Sequence, residues 1–311
     1  MGQTMKRAAV LALLLASTLP ALALRRAQQD TLKVSVDLVN VQFSVADRRG
    51  RFVPGLRVED FVVEEDGKRQ AVRHFAHENE LPLTIGMLID TSPSVRPVFD
   101  EEKLTAESFL SSILRPEDLA LVIGFDNSVT LVQDYTENRR LLKSAIDDLT
   151  IGGGTSLYDA IYLVCKEKLD HEAGRKTIIL ISDGEDTTSK VKFFEALVAA
   201  HQSDAVIYSI SQANGGFGFR GRRRSGGGDP GTLRKFSEET GGTMFFVDNK
   251  NSFKKIFDQI GQELRSQYSL GYFSTNTARD GKYRQIKIVA RDSKYTVRAR
   301  KGYYAAKDLD R

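Results

Sequence analysis

The sequence predicts an α/β protein: a doubly wound, mainly parallel sheet with helices on both faces, and beside it a small β-sandwich-like unit built from the two ends of the chain. Three observations predict it. Nearly continuous apolar runs of strand length occupy residues 83–89, 119–125, 177–181, 205–210 and 243–247. Such runs are expected of strands covered on both faces. Segments of helical spacing lie between them, and strands that alternate with helices build a parallel sheet. The stretches before residue 83 and after residue 266 instead carry short alternating runs punctuated by Asp and Gly, the pattern of antiparallel β structure.

The elements follow in order. Residues 1–23 read as a secretory signal, with Lys6 and Arg7 before an apolar stretch and Ala21-Leu22-Ala23 as the small-x-small cleavage site. The apolar stretch is short for a membrane span and Pro20 interrupts it, so cleavage is expected rather than anchoring. Residues 24–30 form a polar, flexible start and 31–80 an N-terminal β segment. In that segment Val34, Val36 and Leu38 alternate in one phase and Val39, Val41, Phe43 and Val45 in the other, which predicts a bulge. Asp47-Arg48-Arg49-Gly50 and Asp66-Gly67 are its turns, with a strand over 60–65 between them. Residues 81–266 form the α/β domain. Its helices are expected at 98–114, 138–149, 156–169, 190–201, 231–239 and 251–266, the first ended by Arg115-Pro116 and the last striped by Phe253, Ile256, Phe257, Ile260 and Leu264. Residues 129–132 are close enough to the 119–125 run to make a hairpin with it. The segment 214–228 breaks the pattern. It is rich in glycine and carries Arg220, Arg222, Arg223 and Arg224, and it reads as a solvated insertion more than an anion- or nucleic-acid-binding loop, because few aromatics interleave the cations. Residues 267–305 are the C-terminal β segment, with strands at 268–273, 284–290 and 296–300, and 306–311 are a tail.

Composition bounds the function. The 311 residues are 41% hydrophobic and 28% charged, ordinary for a globular protein with a sizeable core. The net charge of +4 falls to +2 if the signal, with its two cations, is removed, so bulk charge gives no case for nucleic acid or a membrane surface. Cys165 is the one cysteine, so no internal disulfide is available, and it reads as a buried small side chain. His74 and His77 read as surface histidines, and His171 and His201 as lone imidazoles placed comfortably near helix ends.

Three short segments carry the chemistry: Asp90-Thr91-Ser92-Pro93-Ser94, Gly153-Gly154-Thr155 and Ser182-Asp183-Gly184. In a doubly wound sheet, ligands bind outside the carboxyl ends of strands where the strand order reverses. Asp90 closes the first long strand, Asp183 ends a later one, and glycines before Thr155 let its loop come close. Asp90, Ser92, Ser94, Thr155 and Asp183 together offer two carboxylates, three hydroxyls and no soft ligand. That is oxygen chemistry for a divalent cation, Mg²⁺ first, with Mn²⁺ or Ca²⁺ as the other candidates. The competing reading has Asp90, Ser92 and Ser94 cap the following helix. It accounts for the first segment and not for Thr155 or Asp183. Glu185 and Asp186, next to Asp183, read as polar loop residues ahead of the helix at 190 more than as groups that support the ion or face its ligand, and Asp126 as either a neighbour of the site or a turn.

The three-part motif, in this order and on these strand ends, resembles the metal-ion-dependent adhesion site of von Willebrand factor type A domains. The resemblance covers roughly residues 81–266. It implies that Ser92, Ser94 and, in the ligand-engaged state, Thr155 bind the ion directly, and that Asp90 and Asp183 act mostly through water. The whole chain also resembles secreted bacterial proteins that frame such a domain with β segments, including the Arg300-Lys301-Gly302-Tyr303-Tyr304 stretch. The expected function is a secreted or periplasmic, non-enzymatic adhesion or scaffold module. It would dock a protein partner's Asp or Glu carboxylate on the ion, with no nucleic-acid partner and no transmembrane anchor after signal cleavage. The alternatives are a metal-dependent hydrolase or phosphatase, for which no general base or nucleophile motif is evident, and a structural envelope subunit.

Overall fold

The computed structural model describes residues 38–77, 81–211 and 228–307. The signal and flexible start, Val34 and Val36 of the predicted parity switch, the arginines of the 214–228 loop and the last four residues of the tail lie outside the described residues; at the switch itself Leu38 and Val39 pair with Phe273 and Tyr272 in regular register, without a bulge.

The N-terminal segment runs β1 (Leu38–Asp47), β2 (Phe61–Glu65), β3 (Lys68–Arg69) and β4 (Val72–His77). Strict alternation buries Val39, Val41, Phe43 and Val45 of β1 on one side. Asp66 and Gly67 both take positive φ, the backbone a two-residue hairpin turn requires, and so join β2 to β3. The central segment runs β5 (Leu83–Asp90), α1 (Phe99–Ile113), β6 (Leu119–Phe125), β7 (Val129–Thr136), α2 (Arg139–Asp147), α3 (Leu157–Leu163), β8 (Arg175–Ser182), α4 (Phe193–Gln202), β9 (Val206–Ser211), α5 (Pro230–Thr240), β10 (Met244–Phe246) and α6 (Phe253–Leu264). The predicted 156–169 helix is α3 continued by a wider π turn over Val164–Leu169. The chain ends with β11 (Tyr268–Phe273), β12 (Tyr283–Ala290), β13 (Tyr295–Ala299) and β14 (Gly302–Tyr304).

The central sheet has the order β10-β9-β8-β5-β6-β7, parallel except for the β6–β7 hairpin. All eight residues of β5 are buried, as its unbroken apolar run requires of a middle strand. Its alternate side chains divide between two cores. Leu83, Ile85, Met87 and Ile89 face α1, α2 and α6, while Leu88 faces α3, α4 and α5. Strand order reverses at β5, because β6 lies on one side of it and the later β8 on the other. The carboxyl end of β5 is therefore the topological switch point, where the sheet leaves a crevice between diverging loops.

Two further four-stranded sheets, β13-β1-β11-β4 and β14-β12-β2-β3, pack face to face around a core of Val41, Phe43, Phe61, Val63, Leu270 and Ile288. Each mixes strands from both chain ends, so the α/β domain is inserted between the halves of a sandwich. Buried polar contacts join the two. Glu263 of α6 is 0% exposed, accepts from Ser44 of β1 at 2.7 Å and pairs with Arg298 of β13 at 2.9 Å. The Arg175 guanidinium donates to the carbonyls of Leu81 and Leu264.

Candidate metal centre

The switch point carries the loop that follows β5. Asp90 is fully buried and both its oxygens are engaged: Oδ1 accepts from the Ser92 amide at 2.8 Å, and Oδ2 from the Ser182 hydroxyl at 2.6 Å. Burial pushes its carboxyl up to about 6. The bonds from Ser182 and Ser92 oppose that rise, and the Asp183 carboxylate nearby adds to it. Ser182, at the end of β8, also accepts from the Gly184 amide at 3.0 Å, so one hydroxyl ties the ends of β5 and β8 together.

Ser92 and Ser94 do not serve the following helix. Ser92 precedes a 3₁₀ turn over Pro93–Val95 and its side chain caps nothing; the N-cap position of α1 is Val98, also without a side-chain cap. The capping alternative is thereby removed. The two hydroxyls face each other at 2.9 Å, with Ser92 buried and Ser94 at the surface. Two oxygens that ligate a magnesium-sized ion at about 2.1 Å in adjacent octahedral positions stand about 3.0 Å apart. The pair is spaced to chelate.

Thr155 is held through its backbone. Its amide donates to the Thr187 hydroxyl at 2.8 Å, and its carbonyl accepts from the Thr187 and Thr188 amides at 2.9 and 3.1 Å. The preceding glycine loop is fastened to the first motif, because the Gly152 amide donates to the Thr91 carbonyl at 2.8 Å. The glycines have a steric cause. A Cβ at Gly152 would stand 1.7 Å from Asp126 Oδ2, and one at Gly154 would stand 2.4 Å from Asn127 Oδ1 and 2.8 Å from a Thr188 carbon. The loop lies flat on Asp126 and Asn127, so no side chain fits between. Asp126 is thus a neighbour and a turn at once: Oδ1 accepts from the Ser128 amide at 2.9 Å, and its carbonyl accepts from the Ser156 amide at 2.7 Å.

Asp183 is 7% exposed and its Oδ1 accepts from the Glu185 amide at 3.0 Å. Gly184 takes φ +86°, and a Cβ there would stand 2.3 Å from the Asp229 carbonyl, which brings the start of α5 against this loop. All three motifs therefore converge on one edge of the sheet through a continuous net of hydrogen bonds. Among the described residues no group of three or more His, Cys, Asp and Glu could hold a metal. Any ion here would depend on hydroxyls.

Asp186 is the loop residue expected from the sequence, whereas Asp159 and Asp118, which also shape the site, escaped the sequence reading. Asp186 accepts from the Tyr158 amide at 3.2 Å and from the Ser189 hydroxyl at 2.5 Å, and Asp159 accepts from the Lys190 and Val191 amides at 2.9 Å each. These carboxylates fix the 185–191 loop against α3, and that loop, not a helix from residue 190, precedes α4. Asp118, 3% exposed, accepts from the Leu83 amide at 2.8 Å and sets the start of β5. His201 lies in the last turn of α4, near a helix end as expected, and it is buried there. It is 3% exposed, packed against the rings of Tyr283 and Tyr304, and burial with the nearby Arg300 charge pushes its pKa down to about 4. It is a neutral core imidazole. His77 is half-buried with its ring edge-on to Tyr268 at 4.8 Å. Cys165 is buried, and burial pushes its thiol up to about 12.

This doubly wound sheet order, with oxygen-bearing loops gathered at its switch point, is consistent with a von Willebrand factor type A domain. The model of that family matches residues 85–185, and the chain carries such a domain. An uncharacterized protein of Borreliella burgdorferi is 25% identical over 190 residues, which make up 55% of each chain; the present chain spans about half the length of that curated relative. Among solved structures, proximal thread matrix protein 1 of the mussel byssus aligns with a TM-score of 0.51 at 16% identity, over 65% of this chain and 51% of that one. A further structure of the mussel protein, described as having a zinc-occupied metal-ion-dependent adhesion site motif, gives 0.50 at 18% identity, over 63% and 48%. At these identities the likeness is one of fold.

Proposed function

We propose that this chain is an extracytoplasmic, non-catalytic binding module that docks a partner protein's carboxylate on a divalent cation held by Asp90, Ser92, Ser94, Thr155 and Asp183. The observation that carries the reading is the pair of hydroxyls at 2.9 Å beside a buried aspartate whose two oxygens are already engaged. Ser92, Ser94 and Thr155 would touch the ion. Asp90, spoken for by Ser92 and Ser182, would act with Asp183 through the ion's water. A dication met mainly by neutral oxygens keeps much of its charge. With two carboxylates near it the centre is close to neutral, so a further anion is attracted rather than repelled. Mg²⁺ takes six oxygens and keeps water readily, which leaves a position for an incoming carboxylate. The zinc-bearing motif of the mussel protein is a precedent for a dication in a domain of this fold. Ser94, Glu185, Thr187 and Thr188 are exposed at the rim, so a partner can reach the centre. No helix among the described residues is long and apolar enough to cross a membrane.

Calorimetry of the purified chain with Mg²⁺, Mn²⁺ and Ca²⁺ tests the first half of the proposal, and Asp90→Ala is the control. Binding of an acidic peptide library to wild type in Mg²⁺ and in EDTA tests the second. Uptake of a dication followed by ion-dependent capture of Asp- or Glu-bearing peptides is expected. A wild-type chain that takes up none of the three ions sinks the proposal.

A further inference from the structure

The buried stripe of α1 is Phe99, Glu102, Ala106, Phe109, Leu110 and Ile113. One member does not belong in an apolar core. Glu102 is 0% exposed, and neither of its carboxylate oxygens has a hydrogen-bond partner. Its amide is satisfied by the Val98 carbonyl at 3.0 Å, so the anomaly lies in the side chain alone. A buried carboxyl without a donor is costly, and a leucine or alanine at this place on the stripe would be the stable choice.

Its surroundings indicate what the side chain is for. Burial pushes the Glu102 carboxyl well above the usual range, and the charges of Asp90 and Asp183, then of Glu101, push it further. The group therefore stands within electrostatic reach of both acids of the candidate metal centre. With Asp90 and Asp183 it does not make a trio of acids that could hold a metal among the described residues. An ion of the magnesium type keeps several of its waters, each with protons to donate, and carboxylates just beyond the ligands commonly receive them.

We propose that Glu102 belongs to the metal centre as an outer, neutral carboxyl group whose carbonyl oxygen accepts a hydrogen bond from the waters of the bound ion. The proposal rests on the metal-binding reading above. Glu102 is a positioning residue: it touches the ion only through water, and α1, which follows the Asp90–Ser94 loop directly, holds it rigidly in place. Its oxygens complete their hydrogen bonding when the ion arrives with its water shell. Metal binding thus satisfies a group that the ion-free fold buries at a cost.

The test uses the full chain as wild type, Glu102→Gln and Glu102→Leu. Mg²⁺ and Mn²⁺ affinities are measured by calorimetry, and melting midpoints are measured with and without saturating ion. The ion-free Leu variant is expected to melt at or above wild type. Its ion affinity should fall by roughly tenfold or more, and the ion-induced rise in its midpoint should shrink accordingly. The Gln variant keeps the shape and one acceptor oxygen, and should fall between the two. A purely structural Glu102 would shift ion-free and ion-bound midpoints together and leave affinity alone; that result in both variants overturns the proposal while the metal site stands. A wild type that binds neither ion overturns both at once.

Discussion

Asp183 and Thr155 sit at loop ends, so their side chains are separable from the fold. The Asp183 carboxylate accepts from the Glu185 amide, and Thr155 is fixed through its backbone. Asp183→Ala and Thr155→Ala should each cost about 1 kcal/mol of ion-free stability or less, yet weaken dication binding by about tenfold or more. Circular dichroism with calorimetry checks both; a variant that loses its helical spectrum contradicts the assignment. His201 gives a pH signature that does not depend on the ion. Its ordinary value is 6.5 and its folded value about 4, so between these the unfolded chain binds the proton first. Its share of stability is whole above pH 6.5 and is lost as pH falls toward 4, by about 3 kcal/mol. In EDTA, urea midpoints at pH 7 and pH 4.5 should differ more for wild type than for His201→Phe, and equal pH losses would refute this. The residues of this scale were unequally legible. Asp90, Ser92 and Ser94 could be read because a tight loop alternates them within five positions. Glu102 could not, because Glu101 and Lys103 flank it and a run of charges reads as a solvated face. Its place three residues after Phe99 and four before Ala106 was the available signal.

Elements were legible where the physics is local. Continuous apolar runs gave β5, β6, β8 and β9 because a strand covered on both sides has no polar position to spare. β3 and β14 were not read as strands, since two or three residues are too few to show a period. Their strand geometry comes from pairing with β2 and β12. The glycine loop before Thr155 was read as permissive backbone, and its actual requirement is clearance. Gly152, Gly153 and Gly154 have negative φ, so an alanine would suit the backbone and still collide with Asp126 or Asn127. Gly152→Ala should therefore displace the loop, at a cost of about 1–3 kcal/mol, and carry Thr155 away from its place against Thr187 and Thr188. Ion affinity should fall further than in Thr155→Ala, because the whole loop shifts. Affinity equal to wild type in Gly152→Ala would show that the loop can yield without moving Thr155.

At the scale of the molecule the sandwich sets how the α/β domain is held. Each of its sheets has a C-terminal strand between N-terminal partners or next to them: β11 lies between β1 and β4, and β12 pairs β2. Neither chain end can complete a sheet alone. The joint is locked by a buried cluster that sequence could not indicate, because its members lie more than 200 residues apart. Glu65 of β2, 2% exposed, accepts from the Tyr272 and Tyr303 hydroxyls at 2.9 and 3.0 Å and from the Ser274 hydroxyl at 2.5 Å. Burial first, and then the Glu65 carboxylate, pushes both phenols up, Tyr303 to about 12, so they remain protonated donors at any physiological pH. Glu65→Ala leaves the buried Tyr272 hydroxyl without its acceptor and takes one from the half-buried Tyr303 and Ser274 hydroxyls, and should cost about 3 kcal/mol, a drop of about 6 °C or more in melting midpoint. Tyr272→Phe removes one bond and should cost about 1 kcal/mol. Both substitutions lie in the sandwich, away from the switch point at the end of β5, so dication affinity should match wild type in each. If Glu65→Ala melts with wild type, the carboxylate is not the lock. If it instead abolishes ion uptake in chain that is still folded, the sandwich and the metal centre are energetically coupled, and Glu263 with its bonds to Ser44 and Arg298, together with His201 against Tyr283 and Tyr304, is among the contacts that join them.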